Sequence, residues 1–93
     1  MRYPIAIEPG DNQHAFGVVD PDLPGCFSAG DSLDEAMAQA REAILLYFEV
    51  LLEEGKAPPQ PGPVDMHADN PDFKGWIWAV VEIDPEDLSE TPS

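Results

Sequence analysis

The residues of this chain best suited to chemistry are carboxylates. Asp20, Asp22, Asp31, Asp34 and Glu35 lie close together in sequence and, gathered by a fold, could offer oxygen ligands to Mg²⁺ as in two-metal nucleases. Local roles compete for the same side chains. Asp20 and Asp22 flank Pro21 in a turn, while Asp31, Asp34 and Glu35 stand where a helix start needs a cap and acids against its macrodipole. The structural roles prevail, and no metal site is assigned. His14 and His67 lack the spacing that makes imidazoles converge on a metal and read as surface histidines. Cys26 is the only cysteine, so neither an internal disulfide nor a thiolate cluster can form. Beside Phe27 in an acidic chain it reads as a small packed residue, not a nucleophile. Trp76 and Trp78 share a strand face and could stack bases, but no basic groove accompanies them, so they read as core or interface aromatics. There is no G-x-S-x-G, P-loop or G-x-G-x-x-G. Nothing here implies catalysis or a cofactor.

The elements that must position these residues fit one domain. Ninety-three residues with 43% hydrophobic content support a single thin core without staples or metal. Four basic against 19 acidic residues give a net charge of −15, which disfavours nucleic acid and suits a basic partner. Residues 1–8 do not read as a signal peptide, and the longest apolar run, residues 43–48, is far short of the ~20 needed to cross a membrane. The expected location is the cytoplasm.

Residues 2–7 alternate, with Tyr3, Ile5 and Ile7 on one face; Pro4 suggests an edge or a strand start. Residues 14–19 alternate again after a Pro-Gly turn, favouring an antiparallel hairpin, and a short third strand follows at residues 26–29. Ser32-Leu33-Asp34-Glu35 has the spacing of a capping box, and Gly55-Lys56 is a stop, so a helix is predicted over residues 33–54. Leu33, Ala36, Met37, Ala40, Ala43, Ile44, Tyr47 and Leu51 form its sheet-facing stripe. Leu45, Leu46, Phe48, Val50 and Leu52 widen the second half and imply another layer, either later chain or a second protomer, with Leu45, Phe48 and Leu52 as the expected oligomer interface. The proline-rich residues 57–64 read as an extended crossover, and residues 65–72 have room for one helical turn before Pro71. Residues 76–83 are apolar on both faces, which predicts a strand in the middle of the sheet. The domain should span residues 1–84, with 85–93 a flexible acidic tail.

The run Pro21-Asp22-Leu23-Pro24-Gly25-Cys26-Phe27-Ser28-Ala29-Gly30-Asp31-Ser32-Leu33-Asp34-Glu35-Ala36 closely resembles the signature of HicB-family antitoxins. Arg2-Tyr3-Pro4-Ile5, the helix around Ala40-Arg41-Glu42-Ala43-Ile44, the proline-rich crossover and Trp78-Ala79-Val80-Val81-Glu82-Ile83 follow in the family's order. The resemblance implies an α+β, truncated ribonuclease-H-like fold: a three-stranded antiparallel meander, a long helix and a fourth strand, in the order β-β-β-α-β. It also implies an antitoxin of a type II toxin–antitoxin system, which binds a small basic HicA-like toxin and occludes the face that cleaves mRNA. Asp20, Asp22, Asp31, Asp34 and Glu35 are then the expected contacts for toxin Lys and Arg, with Trp76 or Phe48 as apolar anchors. Family members that repress their own promoter continue into a DNA-binding module, for which nothing after Ile83 has the basic residues or helical period; DNA would be reached only through a C-terminal module absent from this chain. The first strand has no central aspartate for a ribonuclease-H-type metal site, only Glu8 at its end, so nuclease activity is not expected. Two rival readings use the same residues: a metal-dependent nuclease or hydrolase built on the acidic cluster, and an orphan regulatory, oligomeric domain.

Overall fold

Alternation makes the first strand. In β1 (Arg2–Glu8) Tyr3, Ile5 and Ile7 point to one face and Pro4 and Ala6 to the other, and all five are buried. The structure, a computed structural model, describes residues 1–84; the expected acidic tail at 85–93 lies outside the described residues. A hairpin leads to β2 (Phe16–Val19), and a tight turn to β3 (Phe27–Gly30), both pairings antiparallel. The helix α1 (Leu33–Glu53) follows, then a long crossover with short 3₁₀ turns at Val64–Met66 and Pro71–Phe73, then β4 (Ile77–Glu82). The sheet order is β3-β2-β1-β4, and the chain order is the expected β-β-β-α-β.

Two expectations exchange places. β4 is an edge strand, paired only with β1, and β1 is central. The apolarity of β4 on both faces arises because both faces are covered, not because both edges are paired. On one face Val81 and Ile83 are buried under α1; on the other, His67 and Phe73 of the crossover lie against Trp78. The cover is incomplete, and Ile77 and Val80 remain partly exposed. Pro4 is tolerated in a central strand because β2 pairs with β1 only from Ala6 onward, so at Pro4 the strand is bordered by β4 alone.

The helix begins as the capping box requires: Ser32 is extended and its Oγ accepts the Glu35 N–H at 3.1 Å. It ends one residue before the predicted limit, where the Gly55 N–H bonds to the Leu52 carbonyl and the Lys56 N–H to the Leu51 carbonyl. Gly55 has φ +74°, the left-handed conformation that such a stop demands. At the other end the helix comes down closely on β3. A Cβ on Gly30 would sit 2.4 Å from the Ala36 backbone nitrogen, so only glycine fits. Ala36, Ala40, Ile44 and Phe48 are the residues that α1 buries against the sheet. Phe48 is therefore a core residue, its ring edge-on to Tyr3 with centroids 5.4 Å apart, and Leu33 is exposed. Most of the expected stripe holds, with Ala36, Ala40 and Ile44 buried and Met37, Ala43, Tyr47 and Leu51 packed against the core; Phe48 joins it and Leu33 leaves it.

Candidate functional site

The five carboxylates do not form one cluster. Asp20, at the end of β2, is only 3% exposed. Its Oδ1 accepts the Asp22 N–H at 3.0 Å, and its Oδ2 has no partner. The space around it, shared with Ile5, Val18, Ala40 and Ile44, is too small for a water molecule. Burial, with the Asp22 charge adding to it, pushes the Asp20 carboxyl up to about 7 against the pull of the Asp22 N–H. Asp22 is committed as well. One oxygen accepts the Gly62 N–H at 3.0 Å and the other lies 3.0 Å from His67 Nε2, tying the β2–β3 turn to the crossover. Asp20 thus presents no surface to a toxin, and Asp22 uses both oxygens internally. Asp31, Asp34 and Glu35 are exposed at the start of α1.

The histidines divide in the same way. His14 is exposed, its Nδ1 2.9 Å from Asp11 Oδ1. His67 was expected on the surface but is mostly buried, stacked on Trp78 and bonded to Asp22. Among the described residues, no group of three or more His, Cys, Asp or Glu side chains could hold a metal ion. The metal-nuclease reading needs Asp20 and Asp22 as open ligands, and the fold has closed both. Cys26 is packed as expected, and burial, helped by Asp20, pushes its thiol up to about 11, which keeps it protonated at neutral pH. The Tyr3 hydroxyl donates to the Pro59 carbonyl; burial, with Asp20 and Asp22 adding, raises the phenol to about 12 and keeps it a donor.

Of the tryptophans, Trp78 is the more enclosed in aromatic contacts, between Phe73 and His67. Trp76 precedes β4 and is half-buried against Phe73, with ring centroids 5.2 Å apart. Of the expected oligomer interface, Phe48 is withdrawn into the core, while Leu45 is half-buried and Leu52 is 51% exposed.

A feature not anticipated lies on the opposite edge of the sheet from β4. Between the second half of α1 and the outer edge of β3 runs an open trough of about 470 Å³, floored by Cys26, Ala43 and Tyr47 and walled by Phe27, Leu46 and Val50. Phe27 is 66% exposed and Leu46 62%. The signal was present in the sequence, since the helix is too apolar in its second half for a single face. Which of those residues turn inward depends on the helix rotation, which the sequence does not give. Among the described residues no helix is long and apolar enough to cross a membrane.

Residues 3–93 match the family model of the HicB-like antitoxins of bacterial toxin–antitoxin systems. An uncharacterized 14.9 kDa protein of Haemophilus phage HP1 is 43% identical over 84 residues, covering 90% of this chain and 62% of the phage protein. The chain therefore spans less than two thirds of that relative's length. The crystal structure of the Burkholderia pseudomallei antitoxin HicB superposes with a TM-score of 0.88 at 34% identity, covering 100% of this chain and 70% of that one. A chain of a solved HicA3 and HicB3 toxin–antitoxin complex superposes with a TM-score of 0.76 at 36% identity, covering 91% of this chain and all of that one. From the sheet order, the single long helix and the match along nearly all of its length, this chain belongs to the HicB-like antitoxin family of bacterial toxin–antitoxin systems.

Proposed function

We propose that this chain neutralises a basic, HicA-like, mRNA-cleaving toxin in the cytoplasm by covering the toxin's active face, and that it performs no catalysis itself. The observation that carries the reading is the family match over residues 3–93, joined to a net charge of −15. An acidic surface raises the encounter rate with a cationic protein, and burial of apolar surface then slows release, which together suit an inhibitor. Asp31, Asp34 and Glu35 are the exposed members of the carboxylate set and the proposed contacts for toxin Lys and Arg; Trp76 is a proposed apolar anchor. Asp20 and Asp22 serve by shaping the turn that precedes β3. Self-association through Leu45 and Leu52 is part of the same reading, and light scattering at micromolar concentration tests it: a monomer removes it. No DNA contact is assigned to these residues, whose charge has the wrong sign for phosphate.

The test is mRNA cleavage by the HicA-like toxin of the neighbouring gene, titrated with this chain. Cleavage should stop at a fixed molar ratio, and association should slow as salt is raised. Cleavage that continues with the chain in excess, or the absence of any such gene, overturns the reading.

A further inference from the structure

The apolar trough beside β3 belongs to none of the contacts assigned so far. Its walls are apolar side chains left open to solvent, Phe27, Leu46 and Val50, on a chain small enough that such surface is costly to leave bare. One side of it is charged. Glu35, Glu42, Glu49 and Glu53 follow one another at steps of seven, seven and four, which places them in a line along α1. Leu46 lies four residues after Glu42 and three before Glu49, and Val50 three before Glu53, so this acidic line borders the trough along its length. The cation at the trough's mouth, Lys56, is paired with Glu54 at 3.2 Å. Leu45 and Leu52 are seven apart and fall on the far side of the same line, away from the trough.

We propose that this trough is where the toxin docks, by inserting one or two large apolar side chains between α1 and the β3 edge while flanking Lys or Arg side chains pair with the acidic line. The inference rests on the antitoxin reading and deepens it. Charge decides between occupants. A second copy seated in the trough would bring its own acidic line against this one, unlike self-association through Leu45 and Leu52 on the far side of that line, and residues 85–93 carry Glu86, Asp87 and Glu90, of the same sign; like charges brought together across an interface oppose docking. A cationic partner meets complementary charge beside an apolar floor, the pairing of anchor and rim that characterises tight interfaces.

The experiment measures the affinity of the intact chain for the HicA-like toxin of the neighbouring gene by calorimetry, and the association rate by stopped-flow mixing over a range of salt. The double variant Leu46→Glu/Val50→Glu changes only surface positions, and an unaltered melting curve shows that it folds. It should bind about 30-fold more weakly or worse. Glu42→Lys/Glu49→Lys should lose about tenfold in association rate and flatten its salt dependence. If the Leu46→Glu/Val50→Glu chain binds as wild type while Asp31→Lys/Asp34→Lys or Trp76→Ala is weakened, the antitoxin reading stands and the trough proposal falls. If wild type itself ignores the toxin, both fall. A wild-type dimer that Leu46→Glu/Val50→Glu converts to monomer with toxin affinity unchanged makes the trough a self-interface and also overturns the proposal.

Discussion

Asp20 is the position at which a single proton should be most visible in the stability of this protein. Its carboxyl is buried with one oxygen unpartnered, and its pKa rises from the ordinary 3.8 to about 7. Between pH 4 and pH 7 the folded chain therefore holds a proton that the unfolded chain has released. The unfolded state binds fewer protons there, so stability falls as pH rises through that window and levels off above it. At ~1.4 kcal/mol per pH unit the whole window amounts to ~4 kcal/mol as an upper bound. The isosteric substitution Asp20→Asn keeps an oxygen for the Asp22 N–H and cannot ionise. Its urea stability, read through Trp76 and Trp78 fluorescence, should be compared with wild type from pH 5, above the pI near 4.1, to pH 8. Taking the difference cancels the titration of the other carboxylates. The gap should move by about 2–3 kcal/mol in the variant's favour across that range. The offset at pH 5 reports how well the amide packs and is not part of the prediction. A gap that stays constant, or that moves toward wild type as pH rises, refutes the argument that burial keeps Asp20 neutral.

Three other substitutions probe the frame. Phe48→Ala removes a fully buried ring from between α1 and Tyr3 and should cost about 3–5 kcal/mol in denaturant titration; a surface-like loss below ~1 kcal/mol would return Phe48 to the exposed side of the helix. Asp22→Ala breaks the bonds to Gly62 and His67 and should cost about 1.5–3 kcal/mol, with faster amide exchange at Gly62 as the local sign; protection unchanged at Gly62 would contradict the tie. Gly30→Ala drives a methyl into the Ala36 backbone and should cost about 1–3 kcal/mol, read as a lowered melting temperature; a neutral result would mean that the helix start sits farther from β3.

Much of the fold was legible because the informative patterns are local. The period-two run around Tyr3, Ile5 and Ile7 and the Ser32–Glu35 cap each depend on a few adjacent residues, and strand and helix formed there. What escaped depends on long-range placement. Two-sided apolarity in β4 says that both faces are covered but not by what, and a crossover of prolines and 3₁₀ turns does the work that neighbouring layers do in larger sheets. His67 carries no sequence mark of burial, since its partner Asp22 is 45 positions away. The carboxylates illustrate the same limit: nothing in Asp20-Pro21-Asp22 separates an acid turned into the core from one facing solvent. Phe48 and Leu46 are both apolar and only two residues apart on one helix, yet one is sealed in and the other bare.

The two ends of the described chain are joined by main-chain hydrogen bonds. The Met1 amino group donates to the Ile83 carbonyl at 2.8 Å, and the Ile83 N–H to the Met1 carbonyl at 2.7 Å. Both sit at the β1–β4 side of the sheet, with β2 between them and the β3 strand that carries Phe27. A fluorophore, a biotin handle or a sensor surface attached ahead of Met1 is therefore held away from the trough, and single-molecule or surface-based kinetics can be run without the anchor shielding the ground under study. The same closeness suits a circular permutant, with Met1 and Ile83 bridged by a short linker and new ends cut at the exposed Gly55-Lys56 bend.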